Sequence, residues 1–301
     1  CVDGAGREDA HRRTDALSRT DRVIVVDYTF YGADGKLCQE RESTVKVVTA
    51  GDRDTGHPYS MPCRVKGGTD RFAVVSLARW ISNLHLSRCT LQTDGEHPIV
   101  HFAEAVKKEL LTRFGITSVL RHSPRYSHQS AGLAESTGKH NRDKVITLRS
   151  ALLEACGVDL PIASDLGQWM IRHAAWLRGR GHKTGNGQTS YFNVHGVNYS
   201  GEIVQFGETV RFKQPLSDKA RNKSRTRWRV GVWAGKLEAT DEHVVGTASG
   251  VEFPRTVRRL PARAQFNAEA VRAFRGTPWK PKPALDEHGG AEEAQPVRAA
   301  P

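Results

Sequence analysis

Val23-Ile24-Val25-Val26 is an unbroken run of β-branched residues that ends in Asp27. Branching at Cβ favours extended backbone, so the run is predicted as a buried strand whose last side chain emerges at the sheet surface. Cys89 to Thr93 repeats the arrangement and delivers Asp94 in the same way. Two strands that each end in a carboxylate constrain both how the chain folds and what its sheet can present.

The remaining segments supply layers for such a sheet. A first strand is expected over 21–30 and a second over 43–49, joined by the turn Gly32-Ala33-Asp34-Gly35 as a hairpin. A weaker third strand over 57–65 contains Pro58 and Pro62, which confine it to an edge. Phe72, Val75, Leu77, Trp80, Ile81 and Leu84 recur at helical spacing and predict a crossover helix leading to the parallel strand before Asp94. Phe102, Val106, Leu110 and Leu111 mark a second helix, and 115–120 another short strand. Strands followed by alternating helices and strands imply α/β architecture, a mixed sheet flanked by helices.

A long helix is predicted over 130–155, with Val145, Leu148, Leu152 and Leu153 on its buried side and Gly157 beyond its end. Gly138 inside it costs about 1 kcal/mol relative to Ala, so either the helix kinks there or something packs close to its backbone. A further amphipathic helix covers 169–177, and 178–187 reads as a basic, glycine-rich loop. That loop lacks the grammar of a phosphate-binding P-loop, because His182 separates Gly181 from Lys183 and a helix precedes it. From Gly207 on, short alternating apolar runs predict a small, strongly bent β domain, with Trp228 and Trp233 in its core. The expected divisions are an arm or remnant over 1–20, a core over 21–180, a connecting loop over 181–206, a basic β domain over 207–265 and a disordered tail over 266–301.

With 45 Lys and Arg against 33 Asp and Glu, the chain of 301 residues carries a net charge of +12, which favours a polyanionic partner. No apolar run approaches a membrane span, so nucleic acid is preferred over a membrane. Between Arg211 and Arg263 there are 13 bases, among them Arg221, Lys223, Arg225, Arg227 and Arg229, against 5 acids. The five cysteines are scattered without a paired spacing, which suits a reducing compartment, and a first residue Cys1 suggests a piece of a longer polyprotein.

Asp27, Asp94 and Glu135 are the candidate catalytic and metal-binding acids, since carboxylates from two strands and one helix can converge on a hard divalent cation. The plainer alternative makes Asp27 and Asp94 strand-end caps and Glu135 a solvated helix acid. His97 and His101 have a zinc-compatible spacing but no third ligand, which favours an ordinary helix face. His122 and His128 flank the loop before Glu135, where either could meet a phosphate, and Cys156 reads as a buried thiol.

Tyr126-Ser-His-Gln-Ser-Ala-Gly-Leu-Ala-Glu135 resembles the Tyr-x-Pro-Gln-x-Asn-Gly-x-x-Glu signature of the DDE integrases of retroviruses and LTR retrotransposons, most closely the copia type. It keeps Tyr126, Gln129, Gly132 and Glu135 and departs at His128 and Ala131. The resemblance implies an RNase H-like core and a polynucleotidyl transferase that inserts element DNA 3′ ends into target DNA. It also implies two Mg2+ (or Mn2+) ions, with Asp27 bridging both and Asp94 and Glu135 each completing one site. Lys139 and Arg142 share a face with Glu135 and would hold element DNA, while the C-terminal β domain would grip DNA backbone. Homo-oligomers acting in the nucleus are the further expectation. An RNase H-like nuclease, or a decayed element protein that only binds nucleic acid, remain the alternatives.

Overall fold

The computed structural model describes residues 22–122, 128–213 and 228–283; the arm over 1–20 lies outside them. The first sheet is built on β1 (Arg22–Tyr31), which pairs antiparallel with β2 (Val45–Asp52) on one side and parallel with β4 (Arg88–Thr93) on the other. β3 (Pro58–Cys63) is the edge beyond β2, where its two prolines are tolerated, and β5 (Thr117–His122) lies parallel to β4 at the opposite edge. The resulting order β3-β2-β1-β4-β5 is the mixed sheet of an RNase H-like fold.

Alternation in β1 explains its composition. Ile24, Val26 and Tyr28 pack with α1 (Arg71–Ser82) and α2 (His97–Phe114), and Val23 and Val25 pack on the other face against Ala134 of α3 (His128–Cys156). Each helix has a local cause. Asp70 caps α1 by accepting from Ala73 N–H at 3.3 Å, and Gly115 ends α2 in the left-handed conformation at φ 67°. At Gly138 something does pack close to the α3 backbone: a Cβ there would lie 2.6 Å from Thr29 Cγ2, so the helix needs a glycine to sit this close to β1.

α4 (Asp165–Gly181) is longer than the predicted 169–177, and the loop expected from Arg178 begins only after Gly181. Gly179 continues the helix instead of breaking it because the backbone is pressed against His57, whose Cε1 would be 2.9 Å from an added Cβ. The connecting loop expected over 181–206 contains α5 (Ser190–His195), capped by Thr189.

A second sheet follows, with β6 (Thr209–Lys213), β7 (Trp228–Lys236), β8 (His243–Thr247), β9 (Gly250–Glu252) and β10 (Val257–Arg259) in the order β10-β6-β7-β8-β9. It has a small core of its own around Trp233 and Phe212. Its other face is not free: Val232, Ala234, Val244 and Val251 join one cluster with Val145 and Leu152 of α3, Met170 and Ala174 of α4, and Tyr31 and Val47 of the first sheet. The β region thus has a core of its own, as a β domain would, and also shares a cluster with the first sheet and its helices. The tail expected to be disordered from 266 is ordered through 283, because α6 (Ala268–Arg272) and the turn after it bury Val271 and Phe274 in the same cluster.

A shared core predicts one cooperative unfolding transition. Fluorescence reporting on Trp233 and far-UV circular dichroism should give coincident denaturation curves, and a fragment covering 205–265 should show no cooperative transition of its own. Leu152→Ala should cost about 2–5 kcal/mol and shift both curves together.

Candidate functional site

β1 and β4 run parallel with Val25 opposite Gln92, and the same register carried two residues on sets Asp27 beside Asp94. Neighbouring strands lie roughly 4.8 Å apart, so the two carboxylates share the carboxyl end of the sheet. Asp94 follows β4 directly, and Gly95 at φ 90° turns the chain away from it. Asp94 Oδ1 accepts the Glu96 N–H at 3.0 Å, and Asp27 Oδ1 accepts the Tyr28 N–H at 2.7 Å.

The odd-numbered residues of β1 face α3. Val23 and Val25 touch Ala134, Thr29 lies under Gly138, and Asn141 Nδ2 donates to the Tyr31 hydroxyl at 3.3 Å. Asp27 thus lies opposite the turn of α3 that contains Glu135. Leu133 and Thr137 lean over Gly51 of β2. Advancing roughly 100° per residue from Ala134 puts Glu135, Lys139 and Arg142 on the flank turned away from β2, the side on which β4 lies.

Asp27 and Asp94 are therefore neighbours, and Glu135 stands on the helix that faces them without joining them. Its exposed carboxylate is 2.7 Å from Lys139 Nζ, and Arg142 pairs with Asp143. Among the described residues no three His, Cys, Asp or Glu side chains gather to hold a metal ion.

The two strand-end acids carry an uncompensated field. Burial raises the Asp27 carboxyl to about 7; the Tyr28 N–H opposes that rise, Asp94 and then Glu96 add to it, and Lys66 works against it. Lys66 is shared, with Nζ 2.8 Å from Glu40 and 3.8 Å from Glu96. A half-buried group of oxygen donors with excess negative charge fits a hard divalent cation, and Asp27, Asp94 and Glu135 are the residues that could hold one. Sequence reasoning missed Glu96 and Lys66; the spacing of Glu96, two residues after Asp94 at the start of a helix, was the available signal.

The other candidates fall into place around this site. His122 Nδ1 is 3.1 Å from Thr93 Oγ1, at the base of the turn that carries Asp94. The side chain of His128 lies outside the described residues, as do Arg221, Lys223, Arg225 and Arg227. Arg229 is half-buried, its guanidinium 6.0 Å from the Phe212 ring centre. Trp233 is core as expected, whereas Trp228 is half-buried beneath Arg258. His97 and His101 are exposed with ring centres 4.3 Å apart, and Cys156 is a half-buried free thiol.

His57 lies between Ser190 Oγ at 3.3 Å and Glu238 Oε1 at 3.4 Å, superficially a nucleophile, base and acid. Ser190 is only 2% exposed and its hydroxyl donates to Gly179 O, so the trio joins elements and presents no nucleophile.

The sign of the Asp27 shift gives a test. Its folded pKa lies above the unfolded value of about 3.9, so the folded state keeps a proton that the unfolded chain has released. Metal-free protein should lose stability as pH rises from about 4 to about 7, and Asp27→Asn should remove that loss. In EDTA the variant should melt with the wild type near the bottom of that window and above it beyond the top; Mg2+ should then stabilise the wild type alone.

No protein-family model and no curated protein matches the sequence. Among solved structures, the chain is similar to the catalytic core domain of BIV integrase, with 13% identity over 57% of this chain and 92% of that one and a TM-score of 0.39. It is similar to a chain of the simian T-cell lymphotropic virus intasome in complex with PP2A regulatory subunit B56 gamma, at 16% identity over 80% of this chain and 79% of that one, TM-score 0.43. A third is the HTLV-2 integrase catalytic core domain in complex with magnesium, at 16% identity over 58% and 96% of the two chains, TM-score 0.38.

Proposed function

We propose that the chain is a metal-dependent polynucleotidyl transferase of a copia-type LTR retrotransposon, an integrase that joins the 3′ ends of element DNA to a target duplex. Its main support is the placement of Asp27 beside Asp94 at the ends of parallel strands, under a helix flank that carries Glu135, Lys139 and Arg142. The signature-like run from Tyr126 to Glu135 supports the family, and a net charge of +12 supports a DNA substrate.

Divalent cations held by Asp27, Asp94 and Glu135 supply Lewis acidity and charge neutralisation at a reacting phosphate. The chain's own residues prepare that state. Burial raises the Asp27 pKa, so its carboxyl would give up a proton on taking a cation. To serve as a ligand Glu135 would have to part from Lys139 Nζ, 2.7 Å away, which would free the Lys139 ammonium. That ammonium and the Arg142 guanidinium then lie on the Glu135 flank and hold DNA phosphates beside the carboxylates.

A strand-transfer assay with Mg2+ or Mn2+ and an oligonucleotide mimicking an element end tests the proposal. Joined product is expected, and either Asp27→Asn or Asp94→Asn should abolish it. Cleavage without joining would make the protein a nuclease, and DNA binding without chemistry would make it a decayed copy. Replacing Lys139 and Arg142 with Ala should weaken end binding and lower the salt slope by nearly two phosphate contacts, roughly 1.8.

A further inference from the structure

A second concentration of positive charge lies on the opposite flank of α3. Between α3, the end of α4 and the turn after it is a cavity of about 140 Å3, lined in part by Ser136, Thr137, Arg178, His182, Thr184 and Gly56. Among the described residues no carboxylate lines it. Arg178 is half-buried, burial lowers its pKa, and it makes no ion pair with any described residue. The contrast with Arg180 on the same helix is direct, since that guanidinium is held by both carboxylate oxygens of Glu238 at 3.1 and 3.3 Å. His182 is surrounded by like charge: burial lowers its pKa first, and Arg178, His140 and Lys144 lower it further.

We propose that this cavity binds a phosphate group, with Arg178 as the charged donor and the His182 imidazole and the Thr137 hydroxyl as neutral ones. A water molecule's share of the liquid is about 30 Å3, so the space is large enough for a tetrahedral oxyanion. Thr184 and Ser136 form wall only, because the Thr184 hydroxyl is engaged with Asn186 Oδ1 at 2.7 Å and Gln188 O at 3.0 Å and the Ser136 hydroxyl pairs with His140 Nδ1 at 3.3 Å. An anion here would give Arg178 a partner that it lacks among the described residues and would offset the positive field of Arg178 and Lys144 at His182. The phosphate could belong to a polynucleotide or be free. Its assignment to DNA rests on the transferase reading, in which a strand engaged at the carboxylates crosses α3 and seats a further phosphate on this flank; the pocket itself does not.

Thermal melts of the full chain in EDTA, with inorganic phosphate replacing chloride at constant ionic strength, test the pocket independently of any metal. Phosphate should raise the wild-type midpoint, and the Arg178→Gln, His182→Gln double variant should lose that shift. His182→Gln alone alters an exposed residue, so its chloride midpoint should match the wild type while its phosphate shift shrinks. In a parallel titration with duplex DNA of arbitrary sequence, the double variant should lose about one phosphate contact, a salt slope smaller by roughly 0.9. A lost phosphate shift with an unchanged DNA slope would assign the pocket to free phosphate. A wild type with no phosphate-specific shift, or a double variant that keeps it, would overturn the proposal.

Discussion

α4 is buried along most of its length because both sheets close on it, and that double burial holds the molecule together. One side lies along β3 and the other against β7, and α3 closes a third. A helix used in this way cannot have a polar face, and nearly every residue from Leu166 to Trp176 is buried. His173 belongs to this set. Stacked between Trp176 and Phe206, with Trp233 edge-on, it is pushed by burial to a pKa of about 3 and stays neutral at any ordinary pH. At the end of the helix, burial would raise the pKa of Glu238, but His57 and Arg180 outweigh it and keep the group ionised. Arg180 also lies over Trp176, Tyr191 and Tyr199, so one guanidinium joins α4 to the second sheet and to α5.

This rigidity bears on the carboxylate site at the far end of the first sheet. Parallel pairing of β1 with β4 brings Asp27 and Asp94 together whether or not their charges are balanced, so the core pays for a repulsion that the local structure would otherwise relieve. Burial is the larger cause of the raised Asp27 pKa, and the neighbouring Asp94 adds to it. On the proposed function, a carboxyl raised in this way is one whose charged form a bound cation would stabilise.

Much of this was legible in the sequence. The β-branched run before Asp27 and its echo before Asp94 fixed two adjacent strands, and helical spacing alone put Glu135, Lys139 and Arg142 on one flank. What failed was whatever depended on packing between distant segments. Gly179 and Gly181 look like the start of a loop, yet close approach to His57 keeps the first of them helical. Short alternating strands rich in Arg read as a β unit with its own core around Trp233 and Phe212, yet nothing local tells Val244 that it will also meet the same cluster as Leu152. A Pro- and Ala-rich tail hides the two buried residues, Val271 and Phe274, that anchor its first part. Glu96 and Lys66 entered the site only once folding had brought the 66–96 region around the end of β1.

Gly138 sits three residues beyond Glu135, where the α3 backbone lies tight against Thr29 of β1. It works as a shim of zero thickness, setting the gap between the helix that carries one acid and the strand that carries another. A methyl group at that position would act as a wedge, tilting the acidic turn of the helix away from the sheet while the two strand-end acids stayed where they are. The reach of Glu135 toward Asp27 is thus governed by a residue with no side chain, and selection on that reach would register as a missing carbon atom, with no change in any charged group.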